Sequence, residues 1–548
     1  MLSTTTQLVL VIGGFVAYWR LSARNRRNSN LWNIPAPKST SWLKGHLKEL
    51  FNPIESGAFQ QMLLDEYGSI VRLDNKMGEH QLYTFDPHIM HHVLVKNVDT
   101  FERFGMQSSQ LFFGNGLLSV TGDHHRKQKK SLNPVFSISH MREMLLVFYE
   151  IVNKLQQTLI GKVESGPQEI DMLAWMSRTA LELIGQSGLG YSFDPMTSDA
   201  TEHTYSKTIK NLIPALGRLP VLRFHIMRWG VKLGTPRFRR FLVDNIPMQS
   251  VKEIKNMVDY MWSLSEEIYE SKKQALAAGD EVVTKQIGRG KDIMSILMKG
   301  NMSASEDKLD EKEVIAQMST LIFAAMDTTS NALSRILNLL STHPDVQDKL
   351  RQELLEARRM NDELSYDALV ELPFLDAICR ETLRLYPPVP QLARVTTRDT
   401  VIPLSNPIVG LDGTKITELA LPKDTTVLLS LINSNRNPAI WGSDVLEWKP
   451  ERWLSPLPQA VVDAHLPGVY SHLMTFSAGT RSCIGFKFSQ LEMKAVLFTL
   501  VSTFKFDPVQ DKKISWSTTG ITAPFVNGDT TRPCMPLIVS LANQSKDW

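Results

Sequence analysis

The hydrophobic positions of this chain change their spacing several times, and each spacing predicts a different element. Met1 to Trp19 holds no charged residue, and its apolar centre from Leu8 to Trp19 is broken only by Gly13 and Gly14. Leu82 to Phe85 reads as a strand and Asp86-Pro87 as a turn, with Ile89, Val93 and Leu94 then forming one face of a short helix. From 140 to 300, Met, Leu, Ile and Phe recur three and four residues apart, which predicts mainly helix. Lys312 to His343 reads as a long buried helix, and His343-Pro344 opens another, because proline at an early helical position lacks only an N–H that has no partner there. Pro373 to Tyr386 and Phe486 to Phe504 are predicted helices as well. The run Tyr386-Pro387-Pro388-Val389-Pro390 stops the first of these, so that Gln391 to Val395 continues as a strand. Phe101 to Thr121, rich in aromatics and glycine, reads either as an apolar pocket lining or as a loop packed by its own rings. Gly279 to Gly290 reads as a connector.

The totals change this picture in three ways. A chain of 548 residues has room for several domains, but no linker, repeat or low-complexity tract divides it, so one large body is expected. Its three cysteines, Cys379, Cys483 and Cys534, make no disulfide framework and fit a reducing compartment. The net charge of +3 is unevenly spread: residues 1–48 hold seven Lys or Arg and no Asp or Glu, which leaves the remainder slightly acidic and gives no reason to expect nucleic-acid binding.

That early basic cluster also decides how the N-terminal segment reads. About 20 apolar residues span a bilayer, and this segment is at the short end, so a cleaved signal peptide or an amphipathic anchor also fits its length. Arg20, Arg24, Arg26 and Arg27 follow the apolar run and no basic residue precedes it, the reverse of a signal peptide. The positive-inside rule then keeps the body cytosolic. Residues 1–27 are expected to be a membrane anchor, 28–48, with Pro35 and Pro37, a stiff link, and 49–548 the body. Basic residues among Leu, Phe and Trp229 between Gly217 and Arg240 suit either an anionic membrane surface or an ordinary solvated face.

Candidate chemistry concentrates in Phe476-Ser477-Ala478-Gly479-Thr480-Arg481-Ser482-Cys483-Ile484-Gly485. Gly479 and Gly485 let the backbone turn tightly and approach a planar group, Arg481 adds a positive charge, and the Cys483 sulfur can ligate a metal as a thiolate. Read alone, the cysteine is better taken as a buried inert thiol, the commonest fate of a lone intracellular cysteine. A second constellation interrupts the long buried helix at Phe323-Ala324-Ala325-Met326-Asp327-Thr328-Thr329-Ser330, where a buried acid beside an alcohol suggests proton delivery. In a third, Glu381 and Arg384 share one helical face and can pair, with Pro450-Glu451-Arg452-Trp453 downstream.

Together these motifs resemble the cytochrome P-450 superfamily. The cysteine stretch carries all the specified residues of its haem-ligand signature, Phe-x-x-Gly-x-Arg-x-Cys-x-Gly. The resemblance implies a mainly α fold, one large helical body with a small β-rich portion, with Cys483 as axial ligand to haem iron, where a thiolate favours O–O cleavage. It implies Asp327 and Thr328 as the acid and alcohol of proton delivery, although Ala325 stands where the family pattern has glycine. It implies a structural triad of Glu381, Arg384 and Arg452 holding the cysteine loop, and cofactor contacts from Phe476, Arg394 and Arg481. In Gly122-Asp123-His124-His125-Arg126-Lys127-Gln128-Lys129-Lys130, His125 and Lys129 take the places of a Trp-x-x-x-Arg pair that meets a haem propionate; both depart from the common pattern, and lysine lacks the bidentate fork of arginine.

The implied reaction inserts one atom of dioxygen into an apolar substrate. Its electrons come from NADPH through a separate reductase, with cytochrome b5 as a second donor, because the chain has no dinucleotide fingerprint of its own. The implied location is the endoplasmic reticulum membrane, by a single N-terminal pass. Phe104, Phe113, Met326, Val389 and Ile521 are the expected pocket residues, and the overall look is similar to fungal members that oxidise terpenoids and other secondary metabolites. A haem-thiolate isomerase or dehydratase that never uses dioxygen, and a non-catalytic haem-binding protein, stand as alternatives; neither needs the relay of Asp327 and Thr328.

Overall fold

The computed structural model describes residues 29–542 apart from 199–200, 220–229, 232, 280–281, 283–286, 289 and 304–307. The expected anchor at 1–27 lies outside the described residues, and among the described residues no helix is long and apolar enough to cross a membrane. The link that follows is bound to the body. Asn30 donates to the Glu418 carbonyl at 2.7 Å and Asn33 to Asp412 at 2.8 Å, which fastens the link to the two-stranded ribbon Thr400–Val409 and Lys415–Leu421.

The molecule is built around one helix, Glu311–Thr342, of 32 residues. Asp310 caps its N-terminus, and the Asp310 N–H donates to the Glu313 carboxylate at 3.1 Å, a capping box that satisfies two otherwise unpartnered donors. At the other end His343 leaves helical geometry because Pro344 follows it. This central helix packs against Met172–Leu183, Gln249–Ala278, Pro373–Leu385 and Phe486–Thr503. Burial of that kind on several sides explains why its sequence is apolar with small polar residues, and its observed ends differ from the expected ones by a single residue each.

Strands form a smaller portion at one side. A five-stranded sheet runs in the spatial order Ile70–Asp74, His80–Thr84, Thr426–Ser430, Gln391–Thr396 and Phe101–Arg103. Its last two members are antiparallel, with Arg103 directly opposite Arg394. A three-stranded sheet joins Phe504–Pro508, Pro536–Leu541 and Gln168–Asp171. The stretch 101–121 is more regular than a self-packed loop. Phe101, 1% exposed, anchors the edge strand, and a helix follows at Met106–Phe113 between Gly105 and Gly114, both in the left-handed region (φ 75° and 64°).

Candidate active site

The strand Leu473–Ala478 delivers the chain to the cysteine loop and the helix Phe486–Thr503 carries it away. Gly479 has φ 66°, and a Cβ there would stand 2.2 Å from the Leu94 carbonyl oxygen, so only glycine fits. Gly485 differs from the expectation. Its φ is −89°, and an added Cβ would merely touch Phe136 at 3.8 Å, so the chain's own atoms impose no glycine there. The Cys483 N–H donates to the Phe476 carbonyl at 2.9 Å and closes the loop. The thiol lies deep in the molecule, and its exposed surface is wall to a cavity of about 870 Å³. Burial pushes the Cys483 pKa up, while the Gly485 N–H and the Lys129 charge pull it down.

The loop is held from behind by a buried polar core. Arg384 makes a two-pronged contact with Glu381, at 2.9 and 2.8 Å, with both side chains fully buried. Arg452 approaches Glu381 at 3.4 Å and pairs with Asp444 at 3.0 Å. Trp453 and the Lys449 N–H complete the carboxylate's shell. Arg384 also donates to the Asn435 carbonyl at 3.1 Å, and the Asn435 side chain in turn binds Thr475 and the Met474 N–H, each at 2.8 Å. A chain of hydrogen bonds thus runs from the triad to the strand that enters the cysteine loop.

A group of cations lines the cavity. Arg394, Arg481, Phe476 and His125, the expected cofactor contacts, all line it. Arg103 joins them, a residue that sequence reasoning missed. Burial and the neighbouring arginines push Arg394 and Arg481 down to about 10, and burial lowers Arg103. Arg103 donates to the Leu118 carbonyl at 3.0 Å and Arg394 to Ala393 at 3.0 Å; among the described residues none of the three arginines has an ion-pair partner. Like charges facing each other across antiparallel strands repel, so this arrangement fits an anionic ligand. His125 is buried and its pKa is pushed down to about 3, first by burial and then by Arg481 and Lys129, which leaves a neutral imidazole able to donate a hydrogen bond. A deep thiol, three arginines that no carboxylate among the described residues pairs with, although Asp99 and Glu102 lie near Arg481, and apolar lining from Leu117, Phe136, Ala332 and Phe488 fit a flat, largely apolar group with carboxylates at one edge, as haem is.

Lys129 stands apart. It is not on the cavity wall, and its ammonium donates to the Thr480 carbonyl at 2.7 Å and to the Ser482 carbonyl and hydroxyl at 3.2 and 3.3 Å.

The central helix lines the remaining side through Thr320, Phe323, Ala324, Ala325, Thr328 and Ala332. The Thr328 hydroxyl donates to the Ala324 carbonyl at 2.7 Å. Asp327, one position earlier, turns to the next face, toward Lys210 on the helix Thr204–Gly217; burial holds its carboxyl above the usual range against the pull of that lysine. Of the expected pocket residues, Phe104, Val389 and Ile521 line the cavity. Phe113 and Met326 do not: Phe113 sits behind Phe323 with ring centres 4.7 Å apart, and Met326, 1% exposed, lies on the packed side of its helix.

Known proteins resemble this chain along nearly its whole length. The family model for cytochrome P-450 matches residues 35–528. Cytochrome P-450 monooxygenase 219 of Postia placenta is 47% identical over 542 residues, 97% of this chain and 98% of that protein. A ganoderic acid synthetase of Ganoderma lucidum is 45% identical over 539 residues, with the same coverage of each. A P-450 monooxygenase of Hericium erinaceus is 36% identical over 537 residues, 96% of each chain.

Proposed function

The chain belongs to the cytochrome P-450 family and is a haem-binding monooxygenase supplied with NADPH electrons through a reductase; from that premise we propose how its own residues carry the reaction. The observation that supports the assignment best is one cavity in which the Cys483 sulfur and the unpaired cations Arg103, Arg394 and Arg481 all take part. Cys483 would hold the haem iron through its thiolate. Arg103, Arg394, Arg481 and the neutral His125 would hold the carboxylates of the cofactor by charge-assisted and neutral hydrogen bonds. Haem, when bound, supplies the activation of dioxygen that inserts one oxygen atom into substrate and, with two electrons and two protons, reduces the other to water.

The protein manages those protons. Asp327 is the acid of the delivery, a carboxyl that burial shifts above its usual range. Thr328 faces the cavity, accepts a proton at Oγ1 and passes one on by turning from the Ala324 carbonyl. Ala325, which stands where the family pattern has glycine, adds its methyl to the cavity wall beside it. Mainly apolar walls exclude bulk water and suit an apolar small molecule, and the relative named as a ganoderic acid synthetase supports a terpenoid or other secondary metabolite.

Residues 1–27 anchor this body in the endoplasmic reticulum membrane with its catalytic part, 49–548, in the cytosol. Two surface features support a membrane beside it: the exposed Trp32, Trp42 and Leu43 just after the basic cluster, and the helix Pro236–Asn245, which buries none of its residues and presents Phe238 and Phe241 among arginines. Lys127, Lys130 and Lys487, beside the basic helix and the cysteine loop, form the docking face for the reductase and for cytochrome b5.

The deciding experiment is the spectrum of the ferrous carbonyl complex. Wild type is expected to show the Soret band of thiolate ligation, Cys483→Ala to lose it, and Cys379→Ser and Cys534→Ser to keep it; a Cys483→Ala protein with the wild-type band would remove the ligand assignment. For the relay, Thr328→Ala is expected to keep haem while diverting NADPH into hydrogen peroxide, since a positioned proton donor contributes about 10² to 10⁴-fold. Equal product per NADPH would exclude that role. Product analysis in a host that carries a reductase identifies the substrate.

A further inference from the structure

Lys129 occupies a place from which an arginine would reach a cofactor carboxylate, yet its contacts lie elsewhere. We propose that Lys129 is a positioning residue for Cys483, its ammonium fastening the loop that carries the sulfur to the helix Gly122–Leu132 and leaving the cofactor's carboxylates to other residues; the inference rests on Cys483 being the ligand. An ammonium has three N–H donors and no acceptor. All three have a partner here: the Thr480 carbonyl at 2.7 Å, the Ser482 carbonyl at 3.2 Å and the Ser482 hydroxyl at 3.3 Å. No donor remains for a carboxylate, and Lys129 is absent from the cavity wall that His125, one turn earlier, helps to form.

The helix that bears Lys129 is itself fixed. His124 pairs with Glu313 of the central helix, Gln317 of that helix donates to Gln128 at 2.9 Å, and Gln128 donates to the Asn115 carbonyl at 2.7 Å. One short helix therefore connects the central helix to the residue next to the sulfur, and Lys129 is its last link. Three acceptors converging on one point suit a compact ammonium, whereas the planar fork of arginine spreads its donors over a wider arc. The lysine that departs from the family pattern thus matches the contacts it makes.

The test uses the holoenzyme of wild type, Lys129→Met and Lys129→Arg, with three readings: haem per folded chain, the fraction of the ferrous carbonyl complex that keeps the thiolate-type Soret band over time, and the reduction potential. The expected result is unchanged haem content, loss of the thiolate band several-fold faster in Lys129→Met, a lower potential in that variant from the missing positive charge, and no rescue by arginine. Any other combination overturns the proposal, in particular lower haem content with the band intact, which would return the ammonium to a cofactor carboxylate, or full rescue by Lys129→Arg. If Lys129→Met does not fold, Lys129→Gln, which keeps two donors on a shorter side chain, is read by the same criteria. A wild-type holoenzyme without the thiolate band would instead remove the Cys483 assignment, a separate failure.

Discussion

Two groups of buried arginines lie in this molecule, and they are neutralised in different ways. Around Glu381 the chain supplies its own negative charge: Arg384 is engaged by the carboxylate at 2.8 Å and by the carbonyls of Asn435 and Val445, and Arg452 by Asp444. At the cavity wall Arg103, Arg394 and Arg481 sit close enough to depress one another, and no carboxylate among the described residues pairs with them. Burying an uncompensated charge is costly, so the two groups have different dependences. The first is complete when the chain has folded. The second has no such partner within the chain, and on the proposed assignment a bound anion completes it.

The largest effect should come from breaking the self-contained group. Arg384→Met leaves Glu381 buried with a single, longer ionic contact to Arg452 beside the neutral donors of Trp453 and the Lys449 N–H, and a loss of about 3–5 kcal/mol is expected, as for other broken buried pairs. Chemical denaturation of the single variants and of the double variant Glu381→Leu with Arg384→Met checks this: the double is expected to be less damaged than the sum of the singles. Additive losses would mean that the pair is not coupled. At the wall the sign should reverse. Arg394→Met is expected to leave the haem-free protein equally stable or more so, because it removes a repelling charge, while weakening haem binding about ten- to a hundred-fold, the equivalent of one charge-assisted hydrogen bond. Thermal melting without haem and haem titration measure the two halves, and lower haem-free stability in Arg394→Met would erase the distinction between the groups.

The smallest effect concerns His125, the one member of the wall that the fold holds neutral. Its pKa is about 3 in the fold against an ordinary 6.5, so the unfolded chain binds the extra proton between those values. Stability from this group is therefore fully present above about pH 6.5 and is lost as pH falls toward 3. In the haem-free protein, His125→Asn is expected to flatten the acid limb of the melting temperature against pH. An unchanged limb would mean that the imidazole is not held neutral by its neighbours.

Much of this was legible in the sequence because the motifs are local. The cysteine loop, the Glu381–Arg384 pair and the junction of Asp327 with Thr328 each lie within a few residues, and helical spacing alone places Glu381 and Arg384 on one face. Arg103 was not legible, since its role depends on the strand Phe101–Arg103 meeting Gln391–Thr396 in a register that sets it opposite Arg394. A pairing across nearly three hundred residues leaves no mark in either segment. Phe113 and Met326 show a related limit: an apolar residue beside a pocket and one lining it have the same composition, and only the rotation of the helix separates them. The tether from Lys129 was hidden for the opposite reason. The resemblance assigned that position a ligand in advance, whereas three backbone and hydroxyl acceptors on the loop compete for its donors.

The seat of Gly479 against the Leu94 carbonyl, where a Cβ would stand 2.2 Å away, sets a timetable for biosynthesis. A chain grows from its N-terminus at about 5–20 residues per second, so roughly 385 residues of synthesis, on the order of 20 to 80 s, separate the appearance of Leu94 from that of Gly479. Throughout that interval the early half of the contact is made and waits for a partner not yet translated. The cysteine loop therefore assembles late on the ribosome, after the central helix and the helix Gly122–Leu132 but before the helix Phe486–Thr503 that leads away from it, and a nascent chain released or cleaved before about residue 480 lacks the cysteine altogether.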